Sequence, residues 1–305
     1  MQKQEKNSIS KSRALLYKAT ISAMFLACAV AIKMLSTFYI PMFGTNGIKV
    51  SFGGIFTSFP ALLFGPVFGG AASAASDIIG CIINPVGPWN PLITAAVFAG
   101  GFIKGLLFSI LKKRDGRRLT AVFAVILAAL ALLSLTNYYG LKSDEAFFGF
   151  FAEKESVLFT RETLEAVPDR SLGTNICLAL SSSASEKGFA KKFATVCNLV
   201  THGLFAFSVL GLIILGVSAV ISRKKKSFFF KIFVSVLAAE LVTTTLNTAI
   251  LILSGTVSSA FIIFWIPRVL EGIVVCSVQT YFIAILYSVY ESRVKNRIKF
   301  LKDNT

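Results

Sequence analysis

Charge is scarce in this chain. Only 15% of its 305 residues are Asp, Glu, Lys or Arg, against about 25% in an average soluble domain, which excludes a large water-facing surface. Histidine occurs once, at His202. It has no second histidine, cysteine or carboxylate at ligand spacing, so it offers neither a metal site nor a catalytic pair, and reads as a hydrogen-bonder between helices. There is no G-x-S-x-G, no H-E-x-x-H and no P-loop, so hydrolase chemistry and nucleotide hydrolysis by this chain find no support. No enzyme activity, catalytic residue or metal is therefore expected. The five cysteines are scattered without a C-x-x-C, which argues against a disulfide framework or a zinc knuckle. Cys177 and Cys197 are the two that can pair if their loop lies outside the cell.

What the chain has in abundance is apolar sequence. It is 55% hydrophobic with a mean hydropathy of +0.73, and its apolar residues fall in blocks of about 20, the length a helix needs to cross the hydrocarbon core. The expected fold is an all-α polytopic membrane helix bundle of about eight spans. They cover residues 14–38, two short helices within 50–84, then 91–111, 119–138, 196–221, 228–253 and 261–287. The block 50–84 is too long for one crossing, and Gly65-Pro66 divides it. The basic N-terminus (Lys3, Lys6, Lys11, Arg13, Lys18) leads into a run that reads as a first membrane helix rather than a removed signal.

The formal charge of +16 follows the ends of these blocks. Basic residues gather at the N-terminus, at Lys112 to Arg118, at Arg223 to Lys226 and in the tail from Arg293. With eight spans all four sites share one side, which the positive-inside rule makes cytoplasmic. No basic stretch interleaves with aromatics as a nucleic-acid surface does, so nucleic acid is not an expected partner. The outer loops are 39–49, 85–90, about 140–192 and 254–260. The long one balances acids against bases, and its Ser-rich part around Ser181 to Lys187 has the composition of a disordered segment.

Polar residues inside spans are functional candidates because burial in lipid must be offset. Glu240, Thr244 and Asn247 share one helical face. Arg268 and Glu271 share another, where Arg268 either pairs internally or meets an anionic ligand with its planar fork. Lys33 is a charge in the outer part of the first span. The proline-stiffened loop Gly87-Pro88-Trp89-Asn90-Pro91, with Phe52 and Phe56, offers a stacking slot for a flat heterocycle, or Trp89 is an ordinary interfacial aromatic. Ala19, Ala23, Ala27 and Ala31 make a small-residue face that packs either within this chain or against another helix.

The segment from Ile48 to Phe108 also resembles a known family. Its Lys49-Val50-Ser51-Phe52-Gly53 opening, the Leu63-Phe64-Gly65-Pro66 turn, the alanine-rich helix ending in Asp77, and the Pro91 to Thr94 start of the next span are similar to the folate-family S components of energy-coupling factor (ECF) transporters. Leu246-Asn247-Thr248 and Pro267-Arg268-Val269-Leu270 resemble that family's last two spans, and the likeness covers about half the chain. It implies a six-helix core with an outward-facing vitamin site, here with two inserted transmembrane helices. The division it suggests is 1–111 (four core helices), 112–226 (insertion with an outer loop at about 140–192) and 227–305 (two core helices and a basic tail). It implies Lys33, Phe52, Trp89, Asn90, Thr94, Asn247 and Arg268 around a folate-like vitamin, with aromatics holding a pterin, Asn and Thr reading its edge, and Lys33 or Arg268 meeting carboxylate. Ala23 and Ala27 would dock on the transmembrane coupling subunit, and two partner ATPases would use the ATP, so this chain needs no cofactor. The sequence departs from the family around Trp89 to Thr94 and Cys276-Ser277. A stand-alone secondary transporter or channel is the competing reading, and it predicts paired, repeat-related spans of which the sequence shows none.

Overall fold

A computed structural model describes residues 2–42, 45–83, 85, 89–114, 116–152, 160–181, 188–220, 223–256 and 261–290. The Ser-rich segment 182–187, most of the loop before Trp89 and the basic tail from residue 291 lie outside the described residues. Among the described residues the regular structure is helical but for one β-hairpin. The elements are α1 (Gln2–Ser36), β1 (Phe38–Met42), β2 (Thr45–Val50), α2 (Gly54–Phe64), α3 (Pro66–Ile83), α4 (Pro91–Leu111), α5 (Gly116–Ser143), α6 (Glu145–Ala152), α7 (Arg161–Glu165), α8 (Leu172–Leu180), α9 (Phe189–Asn198), α10 (Leu204–Val220), α11 (Arg223–Leu253) and α12 (Phe261–Val289). A π-turn, Leu199–Gly203, joins α9 to α10. Among the described residues, seven segments are long and apolar enough to cross a membrane, and Gly54–Phe64 is a shorter apolar helix. The all-α membrane bundle is thereby borne out.

Three local expectations change. The loop expected at 39–49 pairs as an antiparallel hairpin, with Phe38 opposite Val50 and Ile40 opposite Ile48. Its register shifts between Ile40 and Met42, where Pro41 has no N–H to give the ladder. The second span begins at Gly54 rather than Val50, and its 11 residues rise only about 16 Å. Seven of them, Ile55 and Thr57 to Leu62, are buried, so this short helix is enclosed by protein and does not have to match the thickness of lipid by itself. Finally, much of the polar section after residue 140 is not loop but the short helices α6 to α9.

The split at Gly65-Pro66 is present. Gly65 adopts φ 97°, in the region only glycine enters easily, and its N–H caps α2 through the Ala61 carbonyl. Pro66 then opens α3 at a position where a missing N–H costs nothing.

The chain divides into two compact units. The first holds residues 1–117, 221–250 and 272–305. Its apolar centre includes Ile55, Phe59, Phe108, Ile232 and Ile283, and Phe25 of α1 stacks on Phe59 at 4.7 Å between centroids. Helices α3 and α4 meet backbone to backbone. A Cβ added to Gly101 would lie 2.4 Å from the Gly69 carbonyl oxygen, and one added to Gly69 would lie 2.5 Å from the Ala61 Cβ. In lipid, where apolar surface alone does not hold helices together, such contact supplies dispersion over the whole interface.

The second unit holds residues 118–220 and 251–271. Its core gathers Leu141, Leu164, Cys177, Phe193, Val196 and Val200. Asp144, buried at the end of α5, accepts from the Ser171 N–H at 3.1 Å, from the Ser171 hydroxyl at 2.8 Å, and from the Thr174 hydroxyl. It thereby satisfies the start of α8. Cys177 and Cys197 are free thiols in this core.

The α3–α4 contact predicts that Gly101→Ala destabilises the protein by about 1–3 kcal/mol. Gly149→Ala, inside α6 where a methyl meets nothing within 4 Å, should instead raise stability by up to about 1 kcal/mol. Thermal unfolding in detergent measures both.

Candidate functional site

The close approach of α3 and α4 has a polar end. On α3, Gly69, Ser73 and Asp77 follow at four-residue spacing, and on α4 Gly101 faces Gly69 and Ser73. Two turns nearer the start of α4, the buried Thr94 hydroxyl donates to Asp77 Oδ2 at 2.8 Å. The Trp89 indole N–H in turn donates to Thr94 Oγ1 at 3.0 Å. The chain Trp89–Thr94–Asp77 thus fixes an indole whose residue is still 55% exposed. Among the described residues the Thr94 hydroxyl is the one hydrogen-bond partner of Asp77, and the second carboxylate oxygen accepts from none of them.

Lys33 reaches this end of the bundle from α1. Its ammonium donates to the Ser76 carbonyl at 3.2 Å and lies against Gly80, where a Cβ would stand 2.6 Å from Nζ. Its stem passes Gly53, whose added Cβ would stand 3.0 Å from the Lys33 Cβ. A cation is therefore laid along the backbone of α3 beside Asp77. Phe52 sits half-buried in the turn before α2, not on the helix with Phe56, and its N–H donates to Ser36 Oγ at 3.3 Å. From α12, Gln279 Nε2 donates to the Ser51 carbonyl at 3.0 Å and closes the same turn.

Asn247 approaches on α11. Helices α4 and α11 run antiparallel, since Phe108 packs near Phe228 and Gly100 lies against Thr243. Asn247, one turn beyond Thr243, therefore stands toward the end where α4 begins. Its Oδ1 is buried without a hydrogen-bond partner, a cost of about 1–3 kcal/mol unless something donates to it. Deeper in the unit, Lys104 is 9% exposed and donates to Ser58 Oγ at 3.0 Å, with Glu240 as its acidic neighbour.

The structure thus brings Lys33, Phe52, Trp89, Asn90, Thr94 and Asn247 to one end of the first unit. Two of them are already occupied in particular ways. Asn90 Oδ1 accepts from the Leu92 N–H at 2.9 Å as the cap of α4, and the Thr94 proton goes to Asp77. Arg268 falls in the second unit, its guanidinium over the Phe264 ring at 5.1 Å from the centroid. Asp77 and Gln279 were not among the sequence candidates; Asp77 carried a signal, as a carboxylate inside a span. Ala19, Ala23, Ala27 and Ala31 are all exposed on α1, whose opposite side buries Ser22 and Ala29. Among the described residues no three His, Cys, Asp or Glu side chains gather as metal ligands.

These features define a multi-pass helical membrane protein whose polar side chains converge at one end of one unit. Residues 17–153 are similar to the family of ECF transporter substrate-specific components. The match continues past Lys112 through α5. The folate transporter FolT of Clostridium novyi (strain NT) is 26% identical over 139 residues, which are 45% of this chain and 80% of that protein. No solved structure matches.

Thr94→Val removes both hydrogen bonds of the Trp89–Thr94–Asp77 chain and should destabilise the protein by about 1–3 kcal/mol. In a Trp265→Phe background, where Trp89 is the remaining tryptophan, its emission should shift to longer wavelength as the indole loses its anchor.

Proposed function

We propose that this protein is the membrane-embedded capture subunit of an ECF-type uptake transporter, and that its cargo is folate or a closely related vitamin. One observation carries the reading. Within the family-matched stretch, a fixed indole, a carboxylate with an unused oxygen and a lysine from three separate elements converge at one end of a helix bundle. A flat heterocycle stacks on the indole. Asn247 offers its unpartnered carbonyl to a ligand N–H, and Lys33 supplies a cation for an acidic tail. The likeness to a folate transporter supports the choice of vitamin.

In this reading the chain binds its vitamin from outside and passes it on through a transmembrane coupling subunit driven by two ATPases, to which the exposed alanine face of α1 docks. The termini are cytoplasmic, with α2 and the strand before it together making one crossing. This places the basic stretches beside α4, α5 and α11 on the inner side.

Three outcomes follow. The purified protein should bind folic acid saturably without partner subunits, and ligand extracted from it should carry a folate-type ring; transport by the chain alone in vesicles would overturn the reading. Ala23→Leu with Ala27→Leu should leave folic acid binding unchanged and abolish co-purification with the coupling subunit. Phosphatase fusions should be active after residue 170 and inactive after residues 113 and 225; activity at 225 would show that the count of crossings differs.

A further inference from the structure

We propose that Asp77 is the residue that selects the ring of the cargo, by accepting a pair of N–H groups from the edge of a 2-amino-4-oxo heterocycle. This rests on the reading of the protein as a vitamin-capture subunit and adds to it the chemical class of group recognised.

Asp77 lies on α3, within the span Pro66–Ile83. A carboxylate at such a place requires partners, because the hydrocarbon offers none. One oxygen has them: Oδ2 accepts from Thr94 at 2.8 Å. The other has none among the described residues, and Asp77 is only half-buried. If the carboxylate served only to tie α3 to α4, a single acceptor atom would be enough, and an amide or hydroxyl would do it without the burden of a charge.

Neighbouring geometry says what shape of group can reach it. Thr94 has one proton, which it gives to Asp77, so its oxygen can accept from the Trp89 indole at 3.0 Å. The indole and the carboxylate are thus held by the same hydroxyl, one on each side of it. A planar ligand lying on the exposed indole turns an edge, not a face, toward Asp77. An edge that matches a carboxylate is one with adjacent donors, as in a cyclic N–H beside an exocyclic amine, because acceptor-only carboxylate oxygens repel a ring carbonyl or an unprotonated ring nitrogen. The 2-amino-4-oxo pterin ring has such an edge, and a plain carboxylic acid or a ring without N–H donors does not.

Folic acid and its 2-desamino analogue distinguish the possibilities, with binding read by titration of the purified full-length chain. The wild-type protein should prefer folic acid by about 10- to 100-fold, the worth of a hydrogen bond to a charged group. Asp77→Asn keeps an oxygen for the Thr94 hydroxyl but presents an amide to the ligand. It should lose that preference, binding the two compounds with similar and weaker affinity. Equal binding of the two compounds by the wild type overturns the assignment even if the variant fails to fold, and leaves the vitamin reading standing. A preference retained in Asp77→Asn overturns it equally. If the wild type binds neither compound, the folate reading fails, and the role of Asp77 with it.

Discussion

Helices in a bilayer cannot rely on the expulsion of water to press them together, so the distance at which two backbones meet decides what else can happen between them. In this protein that distance is set where Gly69 and Ser73 of α3 face Gly101 of α4. The same rows of residues, continued one or two turns, arrive at Asp77 and Thr94. A hydroxyl on a short side chain reaches a short carboxylate at 2.8 Å only because the helices beneath them touch. Bulk at the glycines would therefore disturb the Trp89 indole without contacting it.

Polar groups of the first unit differ in how far they are engaged. Lys104 and Ser58 are mutually engaged, and Ser58 passes its own proton to the Gly54 carbonyl at 2.6 Å. That arrangement binds α2 to α4 and leaves little over. Asn247 differs, since its Oδ1 is buried without a partner among the described residues, while the half-buried Asp77 accepts from Thr94 through one oxygen. An acceptor left unmet inside a bundle is expensive, so Asn247 carries a cost that Ser58 and Lys104 do not.

Much of this was legible in the sequence because membrane helices announce themselves by length and composition. The spans, the break at Gly65-Pro66 and six of the residues that meet at one end could all be named from residue types and order. The hairpin was not legible, since Pro41 is a loop residue by local chemistry, and only cross-strand pairing with Thr45–Val50 makes a strand of Phe38–Met42. The helices after residue 140 were hidden because they are short and separated by polar segments, although Ser171 with Thr174 and Thr160 with Thr163 carry capping patterns. The roles of Asn90 and Thr94 could not be read either. A side chain that suits a ligand edge suits a helix cap or a hydroxyl relay as well, and only the atoms nearest to it decide. Asp77 was visible as a charge in a span, but its partner lies 17 residues away across a loop.

The outer face of α1 has a kinetic consequence. At Ala19, Ala23, Ala27 and Ala31 there are no rotamers to freeze, whereas a methionine or lysine gives up about 1.5–2 kcal/mol of side-chain freedom on being covered. A helix laid against these four positions meets a surface that needs no rearrangement before contact and none after it. The shallow relief also limits interlocking, so little has to be undone on separation. Such a face suits encounters that are made and broken many times, with the lifetime of each set by what surrounds the stripe rather than by the stripe.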